Sequence, residues 1–330
     1  MDSGPALMSI NHVESSAPGK LVLSGEYAVL AGAKALVAAV DRRVVCLLQR
    51  RNEAGWSFKS LGYFFESSHT VDELFRDLPD EDPARFIAHL STPNALPRHA
   101  AVTIDSSPFY LHKQKLGIGS SAAVTVALGN ALAALDGHEM GVERLQQAHR
   151  TFQRGVGSGL DVAAAYRGGV ILYQNNQAET HGIDPNVHYG FVFAGESTQT
   201  PRMIARFNEW RGETTPASLA ELVSAANGVV EASLQASAFM SCMKDYIGAL
   251  VQLDQDAQIG IFGPGHKAAM GLAERHGVLY KPCGAGGGDM GVAFSTEDGA
   301  LSGFKRGVEE RGLNVVKLEI EEDGVQVRTG

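Results

Sequence analysis

"KLGIGSSAAVTVALGNALAAL", residues 115–135, runs from a lysine through two glycines and two serines into a helix-forming segment. Gly117 and Gly119 permit positive φ or the close approach of another group. Beyond them Val124, Leu128 and Leu132 recur at four-residue spacing, which predicts a helix with one apolar face and Ser120 or Ser121 as its N-cap. Backbone N–H groups at such a helix start attract an anion, and hydroxyls there donate to phosphate oxygens or ligate Mg²⁺. Two readings stand at this point: an ordinary turn and cap, or a phosphate cradle.

The familiar nucleotide motifs do not decide between them. "GIGSSA" matches G-x-G-x-x-A, and Asp136 lies near the distance of a ribose-binding acid. In a dinucleotide fold that acid ends a second strand, whereas Asp136 follows directly on the helical "ALAAL". The chain holds no G-x-x-x-x-G-K-[ST] loop, no H-R-D loop and no D-F-G. A phosphate loop here is of another kind.

Working outward, "LVAAV", "RVVCLLQ" and "AVTID" read as strands, and the acidic interval Glu66 to Asp82 between them reads as helical. Helices are expected at about Val142 to Phe152 and from Leu160, followed by a strand at "GGVILYQ". "VHYGFVFAG" reads as a buried strand, and the chain then turns helical from Thr200 to about His276. Strands return at "GVLYKP", "GVAFS" and "NVVKLEI", with a helix at about Gly299 to Arg311. The simplest organisation is two α+β halves, 1–180 and 181–330, meeting near "NNQAETHGIDPN".

Bulk properties narrow the function classes. With 28 basic and 37 acidic residues the formal charge is −9, so a nucleic-acid binder with a basic stripe is not expected. Cys46, Cys242 and Cys283 are too scattered for a disulfide framework or a zinc site. No apolar run reaches the roughly 20 residues of a membrane span, and "MDSGPALMSINHVESS" has no signal-peptide pattern. A cytoplasmic protein with no membrane partner is expected, as monomer or homodimer.

Three further segments carry chemistry. "SAPGKLVLSGEYAVLAG" (16–32) places Lys20 beside Pro18-Gly19 at a strand start, either a solvated charge or a fixed cation near a transferring phosphoryl group. "GVGSGLD" (155–161) brings Asp161 to a loop-to-helix junction, as an N-cap or as a carboxylate facing an acceptor. "GAGGGD" (284–289) leaves a bare backbone between two strands. Taken in order with "GIGSSAA", these segments resemble the GHMP small-molecule kinases over nearly the whole chain. The resemblance implies an α+β fold of two domains with the active site between them. The N-terminal domain would be of the ribosomal-protein-S5-domain-2-like type and the C-terminal one ferredoxin-like.

"AHRTFQRGVGSGLDVAAAYRGG" (148–169), "FVFAGESTQTPRMI" (191–204) and "KPCGAGGGDMG" (281–291) look most like the bacterial phosphomevalonate kinase branch. That resemblance implies phosphoryl transfer from ATP, with Mg²⁺, to 5-phosphomevalonate. Lys20 and Asp161 would be catalytic, Asp161 accepting the proton late in a dissociative transfer. Gly117, Ile118, Gly119, Ser120, Ser121 and Ala122 would hold the ATP phosphates, Ser121 also ligating the metal. Lys115, Ser158, Gly159, Ser197, Thr198, Arg202, Gly284, Ala285, Gly286 and Gly287 would bind the acceptor, whose phosphate requires cations. Arg154 and Lys281, and more weakly Lys113, are further candidates for that charge. Two departures stand out. Lysines replace the proline that many members carry ahead of the phosphate loop. Arg150 stands where mevalonate kinases carry a Mg²⁺-binding glutamate. His149 and Gln146 have two readings, packed side chains or groups reaching metal-bound water. The alternatives for the whole chain are a family member acting on another small alcohol, such as mevalonate or a sugar, and a non-catalytic nucleotide-binding relative.

Overall fold

The computed structural model describes residues 10–62, 64–155, 157–195, 200–213 and 215–330. In chain order the N-terminal half contains β1 (His12–Ser24), β2 (Ala35–Arg50), β3 (Gly55–Ser60), β4 (Phe65–His69), α1 (Ile87–Leu90) and β5 (His99–Asp105). A two-strand ribbon of β6 (Tyr110–Leu111) and β7 (Gln114–Lys115) follows, then α2 (Ser120–Leu135), α3 (Val142–Phe152), α4 (Leu160–Arg167), β8 (Val170–Gln174) and β9 (Gln177–His181). The second half contains β10 (His188–Phe193), α5 (Thr200–Arg211), α6 (Ala217–Ala232), α7 (Ala236–Ala257), α8 (Pro264–His276), β11 (Leu279–Pro282) and β12 (Met290–Ser295). It closes with α9 (Asp298–Glu310), β13 (Asn314–Val316) and β14 (Gln326–Thr329).

The first sheet runs β14-β1-β2-β5-β3-β4, with β8 and β9 attached beside the far end of β2. "LVAAV" and "RVVCLLQ", expected as two strands, are one long strand, β2, that pairs with β1 along its length. The pairing register shifts between Pro18 and Gly19, a bulge that re-aims the residue after it, Lys20. Helix α2 lies across this sheet and touches β1, β2, α3 and α4. It is therefore buried on nearly every side rather than on a single face, which explains why alanine, valine and glycine fill positions that a surface helix would give to charges. Its N-cap is Gly119, in a left-handed conformation at φ 81°, and Ser120 is the first helical residue. The acidic interval 66–82 is not a helix. It completes β4 and then holds only a single 3₁₀ turn, Glu73–Phe75, before an irregular stretch in which Asp82 holds Ser67 and His69.

The second sheet is antiparallel in the order β11-β12-β10-β13. With helices between the first and second strands and between the third and fourth, this is the ferredoxin-like arrangement. Helices α6 and α7 form an antiparallel pair that reaches back to β1 and β2. A division of the chain at residue 180 does not describe the tail. Strand β14 pairs with β1, and the backbone at Val40 bridges Ile320, so residues 320–329 return to the first sheet. They cover an edge of β1 that would otherwise present unpaired backbone groups. No helix among the described residues is long and apolar enough to cross a membrane.

Candidate active site

The glycine-rich segments meet in one cleft lined by residues of both sheets' loops, among them Lys20, Gly117, Ser158, Asp161, Gly284 and Asp289. Its geometry follows from close backbone approaches that glycine alone allows. The Lys20 N–H donates to the Ile118 carbonyl at 2.9 Å, which ties the phosphate loop to β1. A Cβ placed on Gly19 would come within 3.0 Å of that same carbonyl. A Cβ on Gly119 would lie 3.1 Å from Lys20 Cγ, and one on Gly284 would lie 3.8 Å from Lys20 Nζ. The ammonium thus sits between the loop that opens α2 and the loop that joins β11 to β12. An anion bound to the first N–H groups of α2 meets that cation at once.

Asp161 enters the cleft from the first turn of α4, after Gly159 at φ 84°. Gly159 is the N-cap, so Asp161 does not cap the helix; its Oδ1 accepts the Val162 N–H at 3.0 Å. The loop before it is held from behind. Tyr173 donates its hydroxyl to the Ser158 carbonyl at 2.5 Å, and Gln146 donates to the Gly159 carbonyl at 3.2 Å. Burial, reinforced by the Asp161 charge, pushes the Tyr173 phenol up to about 12, so it stays a donor at neutral pH.

The other wall is the segment after β1. Tyr27, at φ 58°, donates to the Ala285 carbonyl at 2.7 Å. Glu26 is buried and pairs with the fully buried Lys281, while Tyr246 donates to Glu26 and accepts from Gly25 N–H at 2.9 Å. Both partners of Glu26 lie in the C-terminal half, so this cluster sets how the halves meet. Cys283 also lines the cleft, but burial pushes its thiol up to about 12 and removes it as a nucleophile.

Residues 85–169 match the GHMP kinases N terminal domain. A phosphomevalonate kinase of Streptomyces sp. (strain CL190) is 30% identical, over 84% of this chain and 88% of that protein. The chain belongs to the GHMP kinases. A mevalonate kinase of Archaeoglobus fulgidus (strain ATCC 49558 / DSM 4304 / JCM 9628 / NBRC 100126 / VC-16) is 27% identical over 95% of this chain and 99% of that protein. The structure of Streptococcus pneumoniae phosphomevalonate kinase in complex with phosphomevalonate and AMPPNP superposes with a TM-score of 0.77. It is 18% identical and covers 93% of this chain and 99% of that one. The GHMP kinase fold is thus shared along the whole length, and ATP is the family's phosphoryl donor.

Within this GHMP kinase the cleft brings together Lys20, Gly117, Ser158, Asp161, Gly284 and Ala285. Ile118, Gly119, Ser120, Ser121 and Ala122 follow Gly117 into α2, with Ser120 and Ala122 buried. Lys115 ends β7, two residues before the loop. Arg202 is exposed in the first turn of α5, whose Ile204 borders the cleft. Ser197 and Thr198 lie outside the described residues.

Two expectations are corrected. Lys281 is not available to an acceptor phosphate: its ammonium is spent on Glu26 and on the Val22 and Pro282 carbonyls, at 3.2 and 2.9 Å for the two carbonyls. Gly286 and Gly287 do not face the cleft. A Cβ on Gly286 would stand 2.6 Å from the Ile261 carbonyl, and the Gly287 N–H donates to that oxygen at 2.8 Å. These glycines are bare where they pack on the loop before α8. Glu26, Tyr27, Gln153 and Asp289 also line the cleft, and the Asp289 carboxyl packs 2.5 Å from where a Gly117 Cβ would be. The signal for Glu26 and Tyr27 was present in the quoted "GEYAV", but their partners are some 220 to 258 residues away.

Among the described residues no cluster of three or more His, Cys, Asp or Glu side chains forms a cage. That suits a magnesium ion carried in on nucleotide phosphates, which needs only one or two protein oxygens. The Ser121 Oγ, in the first turn of α2 and 3.1 Å from His149 Nε2, would be such an oxygen.

Proposed function

We propose that this kinase transfers the γ-phosphoryl group of ATP to (R)-5-phosphomevalonate, giving 5-diphosphomevalonate in the mevalonate route to isoprenoids. The observation that carries the reaction is the convergence of Lys20, Asp161 and the Gly117 loop in one cleft. The loop and the α2 N-terminus hold the β and γ phosphates. Lys20 offsets charge on the transferred group, and Asp161 orients the acceptor oxygen and takes its proton late. When bound, Mg²⁺ would supply further neutralisation of phosphate charge, and Ser121 is the residue that would hold it.

The acceptor assignment rests on "AHRTFQRGVGSGLDVAAA" and on the Streptomyces relative, with support from Arg150. Arg150 occupies the position of the mevalonate kinase glutamate, and its guanidinium is turned to Asn176 Oδ1 at 2.9 Å. A site that gives up a carboxylate there suits an acceptor that brings its own negative charge. Lys115, Arg202 and Arg154 are the cations assigned to that phosphate. The Archaeoglobus relative keeps mevalonate as the second reading. The test is coupled ADP release with phosphomevalonate, mevalonate, homoserine and galactose. Turnover confined to mevalonate overturns the acceptor assignment. ATP binding with no turnover on any of the four supports a non-catalytic protein. Lys115→Met and Arg202→Met should each raise KM for phosphomevalonate about tenfold, and an unchanged KM in both places the acceptor phosphate elsewhere.

A further inference from the structure

Helix α3 ends at the cleft, and its polar side chains divide there. Gln146 is spent on the Gly159 carbonyl, and the Arg150 guanidinium is turned to Asn176. Gln153, the C-cap residue, lines the cleft with Lys20, Gly157, Ser158 and Asp161. Its backbone N–H donates to the His149 carbonyl at 2.9 Å, which anchors the base of the side chain. Its Oε1 hangs over Gly157, 2.7 Å from where a Cβ on that glycine would stand. Gly157 has φ 113°, so a glycine there serves both the backbone and the space that the carboxamide fills. The Gln153 side chain is half-buried, and among the described residues its carboxamide makes no hydrogen bond.

We infer that the Gln153 carboxamide binds the acceptor, donating an N–H to an oxygen of its phosphate beside Asp161. The inference rests on the phosphomevalonate reading above and adds a neutral donor to the cations assigned there. A carboxamide offers two N–H donors and a carbonyl. Once a substrate displaces water from the cleft, such a group costs stability unless the substrate supplies its partner. Charge explains why an amide suits this position. The charged side chains lining the cleft are Lys20, Glu26, Asp161 and Asp289, and Glu26 is already paired with Lys281. A phosphate monoester placed against Asp161 therefore meets carboxylates as well as the Lys20 ammonium. A further acid at 153 would repel it. A further cation at 153 would draw on Asp161 and weaken it as a proton acceptor. A carboxamide does neither, and a hydrogen bond from it to an ionised oxygen is of the stronger kind.

The test is initial-rate kinetics on the full chain by coupled ADP release, with phosphomevalonate and ATP varied in turn. Gln153→Met keeps the length of the side chain and removes the amide. Gln153→Glu keeps its shape and replaces the donor by a charged acceptor. KM for phosphomevalonate should rise about tenfold in Gln153→Met and about a hundredfold in Gln153→Glu, with KM for ATP within about twofold of wild type in both. An unchanged KM for phosphomevalonate in Gln153→Met overturns the inference, as does a Gln153→Glu variant no worse than Gln153→Met. Equal rises for ATP and phosphomevalonate, accompanied by lower urea midpoints, are what a side chain that only packs the loop before α4 would give, and they overturn it too. In each of these cases wild-type turnover leaves the acceptor reading standing. A wild-type protein that does not turn over phosphomevalonate overturns the acceptor reading, and the inference falls with it.

Discussion

Asp161 is useful because its neighbours leave its carboxylate turned to the cleft. Gly159 supplies the left-handed turn, Tyr173 and Gln146 hold the preceding carbonyls, and the Val162 N–H donates to Oδ1, with His149 Nδ1 3.8 Å from the same oxygen. Asp161→Asn keeps the shape and removes the carboxylate proposed to accept the proton. kcat should then fall by at least ~10²-fold with ATP affinity little changed; an equal fall in both would assign Asp161 to nucleotide binding instead. His266 reports on a different property, stability. It is fully buried against Tyr280, and burial, followed by the Lys281 charge, lowers its pKa to about 4. The unfolded chain binds this proton near pH 6.5 and the folded one does not, so stability is complete above 6.5 and falls as pH drops toward 4. Between pH 7.5 and 5 this group alone should remove about 2 kcal/mol from the unfolding free energy. Urea titrations at the two pH values check this, with His266→Gln expected to flatten the difference; an identical pH dependence in the variant would deny His266 that role.

At the scale of elements, the loop between β11 and β12 divides its glycines between two jobs. Gly284 has φ 66° and open space up to Lys20 Nζ, whereas Gly286 has φ 80° and the Ile261 backbone against it. That backbone is itself fixed, since the Asp254 carboxylate accepts N–H groups from Gly260, Ile261 and Phe262 at 2.7, 2.8 and 3.0 Å. Gly284→Ala should cost only the left-handed strain, about 1–2 kcal/mol, and reduce turnover by crowding Lys20. Gly286→Ala adds a backbone clash and should unfold at clearly lower urea concentration. Equal unfolding midpoints in the two variants would contradict this division. Most elements were legible from pattern: α3 and α4 begin where their glycines and apolar spacing predicted, as do β10 to β12. The interval 66–82 misled because its acids and leucines imitate helical spacing, while β4 gains its hydrogen bonds from β3, a partner that local pattern does not reveal. The burial of α2 was hidden for a similar reason. Five elements, β1, β2, α3, α4 and β14, surround it, and its four-residue apolar spacing marks only one face.

The two halves are joined by contacts that neither makes alone. Glu26 comes from the first, Lys281 and Tyr246 from the second, and together they form a buried, hydrogen-bonded ion pair beneath the cleft. Removing one charge strands the other, so Lys281→Met should cost about 3–5 kcal/mol. The double change Glu26→Gln with Lys281→Met should recover part of that loss, as seen in urea midpoints; a single variant as stable as wild type would remove the pair from the joint. The tail adds a second tie, β14 lying beside β1 after the whole second domain has been built. The family, the order of the domains and the glycine turn that opens α2 were readable in the linear chain, because glycine conformation, helix starts and alternating apolar residues are short-range properties. Which glycines line the cleft, which lysine is spent on an internal carboxylate, and which histidine stands between Ser121 and Asp161 were settled only by folding. Those outcomes depend on groups brought within a few ångströms from positions up to hundreds of residues apart, and no local pattern encodes that distance.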